Sequence, residues 1–265
     1  LAARACALLL IAATLTACKT PPGTASASEG KDRITASDQT DASKRANVRL
    51  QLASAYFADN QLTTALDEVK QAIVADPKMT EAFNMRGLIY AALGDEALAD
   101  DSFRHALQLN PRDPDVMHNY GWFLCIQRHY AEASAQFQQA LAQPQYRDAT
   151  RTLLAQGVCE ARAGQLAEAE ATLQRAFALD SASPVIAINL SEVLLRRGEY
   201  ERARFYVRRI NASPQQSTSQ SLWLAARIEY RSGNTQLAND IGQQLQSRYP
   251  KSPEATAYQL GRFNE

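Results

Sequence analysis

Apolar and small residues along this chain fall at helical spacing, and the helical stretches come in pairs that recur about every 34 residues. In the first pair Leu50, Ala53 and Phe57 follow helical steps, with Leu52 and Tyr56 on the adjoining face. Units beginning at Ala46, Thr80, Pro114, Thr150, Pro184 and Ser219 bring like residues into register. The eighth position is small throughout: Ala53, Gly87, Gly121, Gly157, Ser191 and Ala226. The twentieth is alanine in all six units: Ala65, Ala99, Ala133, Ala169, Ala203 and Ala238. The twenty-seventh is Ala72, Ala106, Ala140 and Ala176, then Ile210 and Leu245, which predicts altered packing at the C-terminal end. Between the helices of a pair stand Asn60, Gly94, Arg128, Gly164, Gly198 and Gly233. Gly or Asn there ends a helix through a left-handed residue, so Arg128 predicts a differently built turn in the third unit. Pro77, Pro111 and Pro250 stop second helices, and two residues inserted near Gln143 to Arg147 lengthen the link from the third unit to the fourth.

This period, with its small positions and closing proline, is the tetratricopeptide signature. It predicts an all-α fold: a right-handed superhelix of six helix-turn-helix repeats over about 46–79, 80–113, 114–147, 150–183, 184–217 and 219–252. A capping helix over 253–263, presenting Tyr258 and Leu260, is expected to cover the last core and complete a domain of residues 44–265. A stack of this kind is a binding scaffold, so a groove is the feature to seek.

In such solenoids the first helix of each pair lines the concave side, and positions 2, 5, 9 and 12 point into it. The apolar residues there are Leu50, Phe57, Leu88, Trp122, Leu154, Val158, Ile188, Leu195, Trp223 and Tyr230. An exposed apolar strip of that size marks a site for a partner helix or extended peptide, with Trp122 and Trp223 as natural anchors. The alternative is that tight curvature closes the groove and these side chains are core. The Lys and Asn clamp that chaperone-binding relatives use for a C-terminal carboxylate is missing, since Leu50 and Ser54 hold its first two positions.

The N-terminus reads as an address. Arg4 precedes an apolar run from Ala5 to Ala17 that is too short to span a bilayer and ends in small residues. Residues 1–17 are expected to be a signal peptide, and the leading Leu1 suggests that the natural start lies further upstream. Leu15-Thr16-Ala17-Cys18 resembles the bacterial lipobox, with Cys18 the acylated residue; an ordinary secretory cleavage site that happens to precede a cysteine is the alternative. Two or three acyl chains suffice for lasting anchorage. Lys19, not Asp, follows the cysteine, which by resemblance to such signals implies the outer membrane. Residues 18–43 are polar and small apart from Ile34, a flexible linker with a reach of roughly 25–30 Å.

The formal net charge is zero, and loss of Arg4 with the signal takes the mature chain to about −1. Without a basic excess, nucleic acid is not an expected partner. No Cys-x-x-Cys occurs, and His105, His118 and His129 lack metal-ligand spacing, so no metal or cofactor is expected. No nucleophile–base arrangement, phosphate loop or paired carboxylate argues for an enzyme. Cys125 and Cys159 lie near one level on neighbouring first helices, in a compartment expected to be oxidising. A disulfide between them is expected, against two separately buried thiols.

The segment Asn119-Tyr120-Gly121-Trp122-Phe123-Leu124-Cys125, the Arg49-Leu50-Gln51-Leu52-Ala53 opening and the lipobox with six repeats resemble the PilF/PilW family of type IV pilus biogenesis and stability lipoproteins. The resemblance covers nearly the whole mature chain. It implies a pilotin at the periplasmic face of the outer membrane that helps a secretin channel to insert or multimerise, supporting pilus assembly and twitching motility. It also implies that the early repeats, with Leu50, Phe57, Leu88 and Trp122, hold the secretin contact. A general periplasmic adaptor lipoprotein for cell-wall hydrolases or outer-membrane assembly factors is the alternative. The oligomeric state is left open.

Overall fold

A computed structural model describes residues 40–264. The expected signal peptide, Cys18 and the linker up to residue 39 lie outside the described residues. The six units are pairs of packed helices: α1 (Asp41–Ala58) with α2 (Leu62–Ala75), α3 (Thr80–Leu93) with α4 (Glu96–Leu109), and α5 (Pro114–Ile126) with α6 (Tyr130–Leu141). They continue as α7 (Ala149–Arg162) with α8 (Leu166–Leu179), α9 (Pro184–Arg196) with α10 (Tyr200–Asn211), and α11 (Ser219–Arg231) with α12 (Thr235–Arg248), closed by α13 (Pro253–Gln259). Among the described residues there is no strand, and no helix is long and apolar enough to cross a membrane.

Two boundaries differ from expectation. Helix α1 opens at Asp41, inside the stretch expected as linker. The Thr40 side chain caps it by accepting from the Ser43 amide, and the Ser43 hydroxyl ties this turn to Asp76 at 3.2 Å. The capping helix ends at Gln259, short of residue 263, because Gly261 turns the chain with φ 67.

Consecutive first helices approach closely backbone to backbone, whereas among the described residues second helices meet one another through long side chains, as Tyr206 and Arg202 of α10 do with Phe177 and Glu170 of α8. The first helices therefore form the tight inner layer of the curve and the second helices the splayed outer one. What lets the two layers approach is a size match. Adding a Cβ to Gly87 would put it 2.8 Å from the Phe103 ring, to Gly121 2.9 Å from Phe137, and to Gly157 2.6 Å from Leu173. Where the small residue is larger, its partner is smaller: Ala53 shares a core with Val69, and Ser191 donates to the Ala203 carbonyl at 2.8 Å in the hairpin that holds Val207. Gly87→Ala is expected to cost about 1–3 kcal/mol by overpacking, more than the roughly 0.5–1 kcal/mol that alanine gains as a helix former. Urea unfolding would measure it, and Phe103→Val in the same chain should restore part of the loss.

The turn at Arg128 corrects the sequence reading. Arg128 adopts φ 63, the same left-handed state as Gly94 at φ 82. Its amide bonds the Cys125 carbonyl at 3.1 Å and the next amide bonds the Leu124 carbonyl at 2.9 Å, as Gly94 and Asp95 do with Ala91 and Tyr90. The turn is built the same way, and a residue with a Cβ bears the conformational cost. The extra length in the third link falls where expected, between Leu141 and Ala149, with Gln145 left-handed at φ 64.

At the C-terminal end Leu245 joins Leu222 and Ala255 of α13 in one core, so the larger residue at that position meets the cap and not a seventh repeat. Gly242 admits the Tyr258 ring, which would lie 2.0 Å from an added Cβ. Leu260 does not cap the core: it is 59% exposed. Phe263 takes that part, buried against Ala226 and Ala238 and stacked on Tyr230 at 4.3 Å.

Candidate functional site

The inner layer of first helices presents the candidate site. Of the ten apolar residues expected there, Leu50, Phe57, Leu88, Trp122, Leu154, Val158, Ile188 and Trp223 are half-buried, and Tyr230 is exposed. Each half-buried side chain has one flank on the core and another open, the state an i, i+3, i+4 stripe adopts at the edge of a helix contact. Leu195 is a correction. It is 2% exposed and sealed in the core that includes Ala161, Val193 and Ile228, so it offers no open apolar flank. Cys125 and His118, at positions 12 and 5 of the third unit, are buried as well.

The C-terminal end of the groove is occupied by the chain itself. Phe263 packs on Trp223 at 5.1 Å and on Tyr230, so these two aromatics hold the protein's own tail. The apolar surface left open therefore runs from Leu50 to Ile188, with Trp122 at its middle.

Polar rungs cross this surface and correct the expectation of an unbroken apolar strip. Asn119 donates to Asn84 at 3.2 Å and accepts from Arg151 at 3.1 Å, linking α3, α5 and α7. Arg162 lies over the Trp122 ring at 5.1 Å. Further on, Arg227 pairs with Glu192 at 3.0 Å and Arg196 donates to the Ala161 carbonyl at 2.9 Å. Sequence positions 2, 5, 9 and 12 missed Asn119, Arg162 and Arg196, although positions 6 and 13 stand one helical turn after positions 2 and 9 and so share their face.

Two buried contacts fix α5 against α7 beneath the surface. Cys125 and Cys159 form a disulfide with Cα atoms 5.8 Å apart. His118 Nδ1 lies 2.8 Å from the Thr152 hydroxyl, which also bonds the Tyr146 hydroxyl at 2.8 Å. Burial, aided by the positive charge of Arg151, lowers the His118 pKa from 6.5 to about 4, against the opposing pull of Asp148. A histidine held neutral in the fold and free to charge when unfolded contributes stability above pH 6.5 that is lost as pH falls toward 4. The loss between pH 7 and pH 4.5 is expected to be about 2 kcal/mol. Denaturant titrations at the two pH values would show it, and His118→Asn should flatten that part of the pH dependence.

Among the described residues no group of His, Cys, Asp and Glu could hold a metal ion. What the surface offers is contact: apolar flanks for burial, amide and guanidinium groups for register.

Tetratricopeptide-repeat models match residues 50–114 and 127–184, 102–133, 160–228 and 220–252. The chain is 26% identical over 256 residues to the type IV pilus assembly protein PilF of Pseudomonas aeruginosa, covering 97% of this chain and 98% of that protein. The crystal structure of PilW, a widely conserved type IV pilus biogenesis factor, superposes with a TM-score of 0.75 at 32% identity, over 80% of this chain and 97% of PilW. A solved structure of Pseudomonas aeruginosa PilF, 24% identical, shares the fold with a TM-score of 0.71 over 84% of this chain and 100% of that one. A six-repeat solenoid matched nearly end to end by these proteins belongs to the tetratricopeptide-repeat family of type IV pilus biogenesis factors.

Proposed function

We propose that this protein is a non-enzymatic pilotin, held at the periplasmic face of the outer membrane by lipid on Cys18, that binds a secretin subunit and promotes its localisation or multimerisation. The observation that carries the reading is the open run of half-buried apolar side chains on the inner layer, centred on Leu88, Trp122, Leu154 and Val158. A folded solenoid gains nothing by leaving such flanks half in water, and a partner segment would complete their burial. Membership of a pilus-assembly family supports the choice of partner class. The disulfide and the His118–Thr152 contact support a preformed surface, since they hold α5 to α7 directly beneath Trp122 and Leu154.

The test is the heat-stable secretin multimer in cells lacking this protein. Loss of multimers and of surface pili is expected, with monomer accumulating. Leu88→Asp should fail to restore them while remaining folded, because it puts an unpaired charge where a partner would exclude water, at a cost of about 2–5 kcal/mol in binding. Normal multimers in the deletion would overturn the reading. Cys18→Ala should misplace the protein, and full rescue by it would show the anchor to be dispensable.

A further inference from the structure

The neutral overall charge conceals a division. Residues 40–149 carry 10 Lys and Arg against 14 Asp and Glu, a net of −4; residues 150–265 carry 14 against 11, a net of +3. On the inner side the change is concentrated at one register position. The thirteenth residue of each unit is Ala58, Ala92 and Ile126 in the first three repeats and Arg162, Arg196 and Arg231 in the last three. These arginines close the first helices α7, α9 and α11.

We infer that the C-terminal half of the inner face is a second docking surface, one that takes an acidic, extended peptide segment of a partner protein. A hollow of about 490 Å³ opens there, bordered by Arg196, Arg227 and Arg231, with Glu192 the one acid among its described lining residues and Asn264 of the tail at its rim. Among the described lining residues, three guanidinium groups against one carboxylate leave an excess of positive charge facing a concave surface. Arg227 already pairs with Glu192, yet its Nε is buried with no partner. Arg196 is steadied by the Ala161 carbonyl, which leaves the rest of its fork to donate outward. Arg231 is exposed and has no ion pair among the described residues. Guanidinium forks held in this way are preorganised for bidentate bonds to carboxylates.

The spacing adds a requirement on the ligand. Packed helices lie about 8–10 Å apart, and an extended chain in the polyproline-II form advances about 3.1 Å per residue with three residues per turn, which keeps every third side chain on one face. Carboxylates at every third residue would therefore meet arginines on successive first helices. The tail shows that a chain can lie here, since Phe263 is seated on Trp223 and Tyr230 immediately before Asn264 reaches the hollow.

The experiment uses the full chain and a short fluorescent peptide with Glu at every third position, separated by Ser and Gly. Its control has Gln in place of each Glu, and binding is read by anisotropy at low and physiological salt. The Glu peptide should bind and the Gln peptide should not; Arg196→Gln with Arg231→Gln should weaken binding about tenfold or more. Arg231 has no hydrogen-bond or ion-pair partner among the described residues, so Arg231→Gln alone should keep the fold and still lose about threefold. Equal binding of both peptides, or binding indifferent to Arg231→Gln, would overturn the inference. So would capture of anionic phospholipid vesicles or of a nucleic acid oligomer in preference to the Glu peptide. The probe contains no secretin sequence, and Leu88→Asp should leave its binding unchanged, so this surface and the secretin reading fail separately.

Discussion

Replacing Glu229 by alanine is expected to destabilise the last repeat and its cap by about 3–5 kcal/mol, the range for an ion left buried without its partner. Glu229 on α11 is 3% exposed and Arg204 on α10 is 8% exposed. Two parallel bonds of 2.7 and 2.8 Å join them across the boundary between the fifth and sixth repeats. Asn234 also donates to Glu229 at 3.0 Å, and Ser232 accepts from Arg204 at 2.9 Å. Burial alone would raise the Glu229 pKa, but the bonds from Arg204 and Asn234 outweigh it and hold the carboxyl below its usual range. Arg204 is raised in turn, first by its bonds to Glu229 and then to Glu201. Because the folded carboxyl titrates lower than the unfolded one, this stabilisation is present above the unfolded pKa and disappears as pH falls through the folded value.

In a solenoid each repeat leans on its neighbours, so the damage should stay local. Hydrogen exchange is expected to rise in α11, α12 and α13 while α3 to α6 keep their protection. Glu229→Gln, which retains shape and one acceptor, should cost less. The pair Arg204→Met with Glu229→Leu should recover much of the loss, since the charges are expensive to bury in the first place. An alanine variant within about 1 kcal/mol of the parent would mean that solvent reaches Arg204 more freely than its burial indicates.

The second large effect is expected at the Cys125–Cys159 disulfide. Reduction should cost about 2–4 kcal/mol, because the bond closes a loop with a sequence separation of 34 and so restricts the unfolded chain. The bond also spans the widened link between α6 and α7. Denaturant unfolding with and without reductant measures the difference, and Cys125→Ala with Cys159→Ala should reproduce the reduced value. Labelling of both thiols in denatured, unreduced protein would show that the bond does not form. The surface built on α5 and α7 carries Trp122 and Leu154, so the same variants should weaken any partner that docks there.

Much of the architecture was legible from residue identities alone. Small residues at the eighth and twentieth positions admit close helix approach whatever surrounds them. A glycine after a helix permits the left-handed turn locally, so Gly94, Gly164, Gly198 and Gly233 could be placed without coordinates. Arg128 was misread for the converse reason: packing on both sides of the turn can impose φ 63 on a residue that does not prefer it. The register of Leu88, Trp122 and Leu154 on the inner layer was equally readable, because i, i+3 and i+4 steps fix a face relative to its own helix.

Which parts of that face stay open was not readable. Leu195 and Ile188 occupy equivalent stripes on one helix, yet Leu195 is sealed by neighbouring helices and Ile188 is not. Phe263 lies outside the repeat pattern, so nothing in the periodicity shows that it would seat itself on Trp223 and Tyr230. The arginines at position 13 were visible as letters but gained meaning only when the stacking of successive first helices brought Arg196, Arg227 and Arg231 around one hollow. The sequence by itself determined the hairpins, their number, their turns and their inward faces, because each follows from forces acting within a few residues. The tertiary structure decided where the groove is open, where the tail fills it and where its charge gathers, because those depend on side chains about one repeat apart or more, which only the stacking brings together.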